Sequence, residues 1–159
     1  MDSGEQLNRR DFVAASAVAG LCVLGAAGSL SQALGDPATQ PSSTAVDVGA
    51  KSSYDKDGPT MKWARSKHFI VMREGGKLYA MSSRCTHKLC VLSNATDHLH
   101  CKCHGSDFAY DGTVQDGPAD WPLGRFGISV NDQGHVLVDT SVNFDQSQSN
   151  DPKSFVPIS

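Results

Sequence analysis

Between about residues 44 and 144, short strand-like runs of the chain alternate with residues that favour turns. Helical spacing of the apolar positions is absent from this region, and short runs bounded by turn residues are typical of strands. Glu74-Gly75-Gly76 separates two of these runs and is a hairpin signal. We predict strands over His68–Arg73, Lys77–Met81, His98–Cys101, Phe108–Tyr110, Ile128–Val130 and His135–Asp139. The pattern therefore predicts a small all-β unit of antiparallel hairpins.

A different pattern precedes this unit, because Phe12 to Leu34 contains no charged residue and is rich in Ala and Gly. Arg9 and Arg10 stand just before it, an order that resembles a twin-arginine export signal. The run of 23 residues could cross a hydrocarbon core of about 30 Å as a helix. We favour retention as a membrane anchor, while Ser31-Gln32-Ala33 also resembles a cleavage site. A chance arginine pair ahead of a core helix is the alternative.

Composition divides the chain into four segments. Residues 1–34 are the signal or anchor helix, and residues 35–50, rich in Pro, Ser, Thr and Ala, are predicted to be a flexible linker. The β unit covers residues 44–142, so that its boundary with the linker falls within residues 44–50. Residues 143–159 are polar, contain two prolines, and are predicted to be a loose tail.

Charge and cysteine content narrow the range of functions. The net charge is -3, the sequence pI is about 6.0, and the basic residues are scattered, which excludes nucleic acid as a partner. Four of the five cysteines lie between Cys85 and Cys103, whereas Cys22 stands alone in the apolar N-terminal run. Such clustering indicates either disulfides or a metal site.

Two sequence boxes carry the candidate chemistry, Cys85-Thr86-His87-Lys88-Leu89-Cys90 and Cys101-Lys102-Cys103-His104-Gly105-Ser106. Thiolates are soft, negative ligands that suit ferric iron, and each neutral imidazole in their place removes one negative charge. A tetrahedral zinc site is an alternative, although the boxes lack the usual Cys-x-x-Cys knuckles. A module with disulfides alone is another, but it leaves the two box histidines without a role. The remaining histidines, His68, His98, His100 and His135, are interpreted as surface or strand residues.

The two boxes resemble those of the Rieske protein family, whose pattern is Cys-x-His-x-x-Cys followed by Cys-x-Cys-His-Gly-Ser. The resemblance spans about residues 45–139 and implies a small antiparallel β-sandwich with a cluster-binding part at about residues 82–120. It also implies one 2Fe–2S cluster per chain. The implied ligands are Cys85 and Cys101 on the buried iron and His87 and His104 on the outer iron. Cys90 and Cys103 are implied to form a disulfide between the two loops.

The resemblance extends to residues around the cluster. Gly117-Pro118-Ala119 is similar to the proline loop that covers the cluster, and Ser106 stands where the family places a hydroxyl that donates to a cluster sulfur. Three features depart from the family pattern. Lys88 and Leu89 replace the usual Leu and Gly of quinol-oxidising members, and Phe108 replaces the Tyr of high-potential members. The spacing of 13 residues between His87 and Cys101 is slightly short for the family.

The resemblance implies one-electron transfer by a subunit that is not catalytic alone. The favoured role is the iron–sulfur subunit of a quinol-oxidising cytochrome bc-type complex, with cytochrome b and c-type partners and contact with quinol. The membrane would be reached through residues 12–34. The alternatives are the small Rieske subunit of a periplasmic molybdenum oxidoreductase, such as arsenite oxidase, and a free Rieske ferredoxin. The twin-arginine route exports folded proteins, so we expect the domain at the periplasmic face, anchored or soluble, where a disulfide persists.

Overall fold

The computed structural model describes residues 44–158, in which all regular structure is β-strand apart from short 3-10 turns at Lys51–Ser53 and Gln146–Gln148. The segments predicted for residues 1–34 and for linker residues 35–43 lie outside the described residues. Within the described part, no helix is long and apolar enough to cross a membrane. The strands are β1 Val46–Ala50, β2 Gly58–Thr60, β3 Phe69–Glu74, β4 Lys77–Ser82, β5 Ser93–Asn94, β6 Leu99–His100, β7 Asp107–Phe108, β8 Val114–Asp116, β9 Arg125–Val130, β10 His135–Phe144 and β11 Val156–Pro157. The all-β prediction is confirmed.

The β3–β4 hairpin is the centre of the fold. Its register, with Glu74 opposite Lys77, leaves a two-residue turn at Gly75-Gly76, as the sequence predicted. Phe69 and Val71 face one hydrophobic cluster, and Ile70 and Met72 face the other. A strand that is buried on both faces has a continuous apolar sequence rather than an alternating one, which explains the Phe-Ile-Val-Met run.

All pairs in the larger sheet are antiparallel. The order is β1-β10-β9-β4-β3-β2, and β11 adds to it by pairing with β4. One face of this sheet covers a core that includes Val48, Leu78, Val136 and Val138. A further chain segment is inserted between two strands of this sheet.

Residues 83–124 form that insert, because β4 and β9 pair directly with each other on either side of it. The insert carries the smaller sheet, of order β5-β6-β7-β8, and both sequence boxes. The second hydrophobic cluster joins the insert to the β3–β4 hairpin, since it combines Met72 and Met81 with Leu99, Phe108 and Leu123. Burial of these side chains holds the insert in place.

Of the two predictions that overlap at residues 44–50, the β unit is correct and the linker is wrong from Val46 onward. Val46–Ala50 form β1 and pair with β10, and Val48 is buried. Small and polar residues dominate this segment, so its composition resembles a linker. Pairing along β10 satisfies its backbone groups, and the buried Val48 and the partly buried Val46 supply the apolar contacts.

The predicted loose tail is also wrong for residues 143–158. β10 continues to Phe144, and the Asp145 carboxylate caps the 3-10 turn that follows. Val156 is buried, and β11 pairs with β4. The buried Ser154 hydroxyl contacts the carbonyls of Ser149 and Asp151, at 2.9 and 2.8 Å. Few apolar side chains anchor this polar segment, which is why composition alone does not reveal it.

Candidate metal centre

The two boxes fold into loops with the same backbone hydrogen bonds. In the first, the Cys85 N–H donates to the Cys90 carbonyl at 2.8 Å, and the Leu89 N–H donates back to the Cys85 carbonyl at 2.8 Å. In the second, Cys101 N–H donates to the Ser106 carbonyl at 2.8 Å, and the Gly105 N–H donates to the Cys101 carbonyl at 2.9 Å. The first cysteine of each box is therefore held at an equivalent place in its loop.

Cys85 and Cys101 are buried free cysteines, and their side chains contact each other. Burial raises the pKa of the Cys101 thiol. The backbone N–H groups of Cys103 and His104 donate to its sulfur and act in the opposite direction. Donors aimed at a sulfur stabilise its thiolate, which is the form that binds a metal.

His87 and His104, one from each loop, lie together. Their ring centroids are 4.8 Å apart and the rings meet edge to face at 86°. The Nδ1 atom of His87 is buried and has no hydrogen-bond partner among the described residues. An unsatisfied buried nitrogen is costly in a folded protein, and a metal ion would satisfy it. His104 is exposed, so this edge of the site faces solvent.

A disulfide joins Cys90 to Cys103, with the Cα atoms 6.5 Å apart. Their sulfur atoms and that of Cys101 lie within 4.8 Å of one another. This cysteine trio is not a metal site, because two of its sulfurs are bonded to each other. Instead, the disulfide connects the two loops beside the free cysteines.

A third loop, at residues 117–121, contacts both boxes. A Cβ on Gly117 would lie 2.5 Å from the Cα of Ser106, so only glycine allows this approach. The Ala119 N–H donates to the Ser106 hydroxyl at 3.1 Å, and the Thr86 hydroxyl donates to the Trp121 carbonyl at 2.6 Å. The loop with Pro118 therefore covers the site on one side. Ser106 and Phe108 are fully buried beneath it.

Leu89 and Gly105 occupy the same position in the two loops, and both have left-handed backbone conformations. The φ angles are 58° at Leu89 and 79° at Gly105. This conformation costs an L residue roughly 1–2 kcal/mol, and glycine adopts it freely. Leucine in place of the glycine usual among quinol-oxidising members therefore has a conformational cost at position 89. The Leu89 side chain is 60% exposed at the tip of the loop.

The structure pairs Cys85 with Cys101 and His87 with His104 across the two loops, and it adds residues that sequence reasoning missed. The hydroxyl of Thr86 and the exposed Trp121 were not predicted to take part. Thr86 lies inside the first box, and Trp121 follows the proline loop, so proximity in sequence was the available signal. Two thiols and two imidazoles on paired loops of an all-β insert are typical of an iron–sulfur protein of mixed cysteine–histidine ligation.

Comparison with known proteins agrees with this class. Residues 44–127 match the model of the Rieske [2Fe-2S] domain, and the chain belongs to that family. The cofactor of the family is a 2Fe–2S cluster. The donor set here fits it, because the pair of buried thiols and the orphaned imidazole nitrogen are the groups that such a cluster requires.

Individual relatives are cytochrome b6-f complex iron-sulfur subunits. That of Chlorobaculum tepidum is 37% identical over 71 residues, which are 43% of this chain and 39% of the relative. The chloroplastic subunit of Bigelowiella natans is 37% identical over 75 residues, 45% of this chain and 29% of the relative. This chain thus spans about two fifths or less of the length of these relatives. The crystal structure of the cyanobacterial plasma membrane Rieske protein from Synechocystis has a TM-score of 0.46 and 28% identity, covering 59% of this chain and 98% of that one.

Proposed function

We propose that this protein transfers single electrons through a 2Fe–2S cluster held by Cys85, His87, Cys101 and His104. We further propose that it is the iron–sulfur subunit of a quinol-oxidising cytochrome bc-type complex at the periplasmic face of the membrane. The observation that carries the first proposal is that two loops joined by a disulfide each supply one buried free cysteine and one histidine, the two histidine rings meeting edge to face.

The donor set determines the kind of electron transfer. A cluster bound here would supply a one-electron couple, and mixed His/Cys ligation gives potentials of about −150 to +300 mV, far above all-cysteine ferredoxins. The neutral imidazoles of His87 and His104 lower the negative charge around the metal. The backbone N–H groups of Cys103 and His104, which donate to the Cys101 sulfur, would stabilise the negative charge that the cluster gains on reduction.

The outer edge of the site is suited to a partner. His104 is exposed, and Leu89 and Trp121 add exposed apolar side chains on the first box and on the third loop, respectively. A quinol or a cytochrome heme could approach the histidine edge, whereas the cysteine side is closed. The relatives named as cytochrome b6-f subunits support a partner of this kind.

A second candidate function is the small Rieske subunit of a periplasmic molybdenum oxidoreductase. The exposed Lys88 favours it, because a charged residue stands between His87 and Leu89 where quinol-oxidising members have an apolar one. An unpaired ammonium group is costly to bury in an apolar pocket. The twin-arginine export expected from Arg9 and Arg10 suits both candidates, whereas the anchor expected at residues 12–34 favours the bc-type complex.

Metal analysis of the purified full chain tests the ligand assignment. We expect two irons and two acid-labile sulfides per chain, and an EPR signal of the reduced protein with the low average g value of mixed ligation. His87→Ala and His104→Ala should each abolish the signal. His135→Ala, which removes a histidine from the larger sheet, should leave it intact. Stoichiometric zinc without labile sulfide would contradict the proposal.

A further inference from the structure

A second group of side chains that could hold a metal ion lies beside the second box. His98, His100 and Asp107 each offer one ligand atom, and these atoms lie within 4.8 Å of one another. The Asp107 Oδ1 is 3.4 Å from His98 Nε2 and 2.6 Å from His100 Nδ1. About a quarter to a third of each side chain is exposed, at 26%, 36% and 27%, so an ion can enter from solvent.

His98 is held between two carboxylates. Its Nδ1 lies 2.8 Å from Asp97 Oδ1, while its Nε2 faces Asp107. A neutral imidazole carries a single N–H. If that N–H donates to Asp97, the lone pair of Nε2 points toward the Asp107 oxygen, and a cation between the two atoms removes their repulsion. The Asp97 contact also matches the carboxylate that typically orients a metal-binding histidine.

We propose that His98, His100 and Asp107 form a zinc site, with water completing the coordination. Two imidazole nitrogens and one carboxylate oxygen are a donor set that zinc accepts, at distances near 2.0–2.2 Å. Tetrahedral coordination at those distances separates ligand atoms by roughly 3.3 Å. The His98–Asp107 separation of 3.4 Å already meets this, and the 2.6 Å contact of His100 must open by less than 1 Å.

The position of this site gives it a structural role. His100 directly precedes Cys101, Asp107 directly follows Ser106, and the two are paired across β6 and β7. Zinc bound to both residues therefore closes the base of the second box loop. Because zinc would bind only the folded chain in this way, it should raise the melting temperature of the protein.

Zinc titration of the full chain, with its native cofactor in place, tests the proposal. The metal content is measured before the titration, and the visible absorption is followed so that displacement of bound iron is detected. We expect one zinc ion in addition to the initial metal content, and a higher melting temperature in its presence. His98→Gln and Asp107→Asn should weaken zinc binding by at least about tenfold and remove the thermal shift, and Asp97→Asn should weaken binding by roughly tenfold.

His135→Gln is the matched control, because His135 Nδ1 also contacts a carboxylate, Asp47 Oδ2 at 2.8 Å, but has no second histidine beside it. It should leave zinc binding unchanged. Asp97 is an exposed side chain, so Asp97→Asn reports on the site without disturbing the fold. Absence of an additional zinc ion, or equal binding by His98→Gln, would overturn the proposal. None of the three ligands belongs to the cluster set, so this result is independent of the electron-transfer proposal.

Discussion

At the residue scale, Leu89 has a backbone conformation that its side chain disfavours, at φ 58°. We expect Leu89→Gly to raise the free energy of unfolding by up to about 1 kcal/mol, since glycine removes the steric cost but loses more entropy on folding. Urea denaturation measures the change. Leu89→Ala is the control, because it shortens the side chain and keeps the strain. Equal stability of the two variants would show that the left-handed conformation carries no cost.

Ser106 and Phe108 should adjust the reduction potential. The Ser106 hydroxyl accepts the Ala119 N–H, which leaves its own hydrogen free to donate to a sulfur. Such a hydrogen bond stabilises the reduced cluster, so Ser106→Ala should lower the potential, and Phe108→Tyr should raise it by adding a donor. Protein-film voltammetry measures both. Unchanged potentials in both variants would mean that these side chains do not reach the sulfurs.

At the scale of elements, the disulfide and the third loop hold the two boxes together. Cys90 and Cys103 are 13 residues apart in sequence, and loss of their bond should destabilise the loops by roughly 2–4 kcal/mol through chain entropy. We expect Cys90→Ala to assemble its cofactor but to lose it at a lower temperature, as followed by visible absorption. Cys22→Ala, which also removes one cysteine, should behave as the parent. Two free thiols in the exported protein, found by mass spectrometry, would refute this role.

Arg125 connects the larger sheet to the insert. Its guanidinium group lies 4.0 Å from the ring centre of Tyr79, and Nη1 and Nη2 donate to the carbonyls of Ser149 and Asp111, at 3.2 and 3.4 Å. Burial lowers the pKa of Arg125. Because lysine cannot reproduce the stacked, two-armed geometry, Arg125→Lys should cost about 2 kcal/mol of stability in urea unfolding.

The control for this prediction is Arg73→Lys. Arg73 pairs with Asp57, whose side chain is 64% exposed, at 3.1 Å. An ion pair with a solvent-exposed partner contributes little, and a lysine can keep both this pair and the hydrogen bond that Arg73 donates to the Asp55 carbonyl, so this exchange should cost below about 1 kcal/mol. Similar losses in both variants would indicate that the buried contacts of Arg125 are unimportant.

At the scale of the whole molecule, we propose that a redox partner docks at the exposed tip around His104. If the partner is a bc-type complex, Lys88→Glu should lower quinol-dependent cytochrome c reduction by membranes several-fold, while Lys88→Leu should be tolerated. In the complex, the lysine stem can lie against apolar surface while its ammonium group stays in water. Lys153→Glu makes the same charge change at another exposed position and should have no effect. Full turnover in Lys88→Glu would favour the molybdenum oxidoreductase partner instead.

Local sequence was sufficient for the two cysteine–histidine boxes and for the hairpins around them. The candidate ligands of each box lie within six consecutive residues, and a tight turn depends on a few neighbouring residues. Both features can therefore be recognised from a short stretch of sequence. The resemblance to the Rieske family and the all-β fold were both confirmed on that basis. The roles of the individual ligands and the export route stay predictions.

Tertiary structure alone decided which distant segments meet. It brought Gly117 against Ser106 and paired β1 with β10 and β11 with β4 in the larger sheet. It also placed His98, His100 and Asp107 around one point, although the sequence had indicated only surface or strand histidines. These contacts depend on burial and strand pairing between residues far apart in the chain. Local composition does not encode such pairing, because a segment with one buried valine resembles a linker until its partner strand is known.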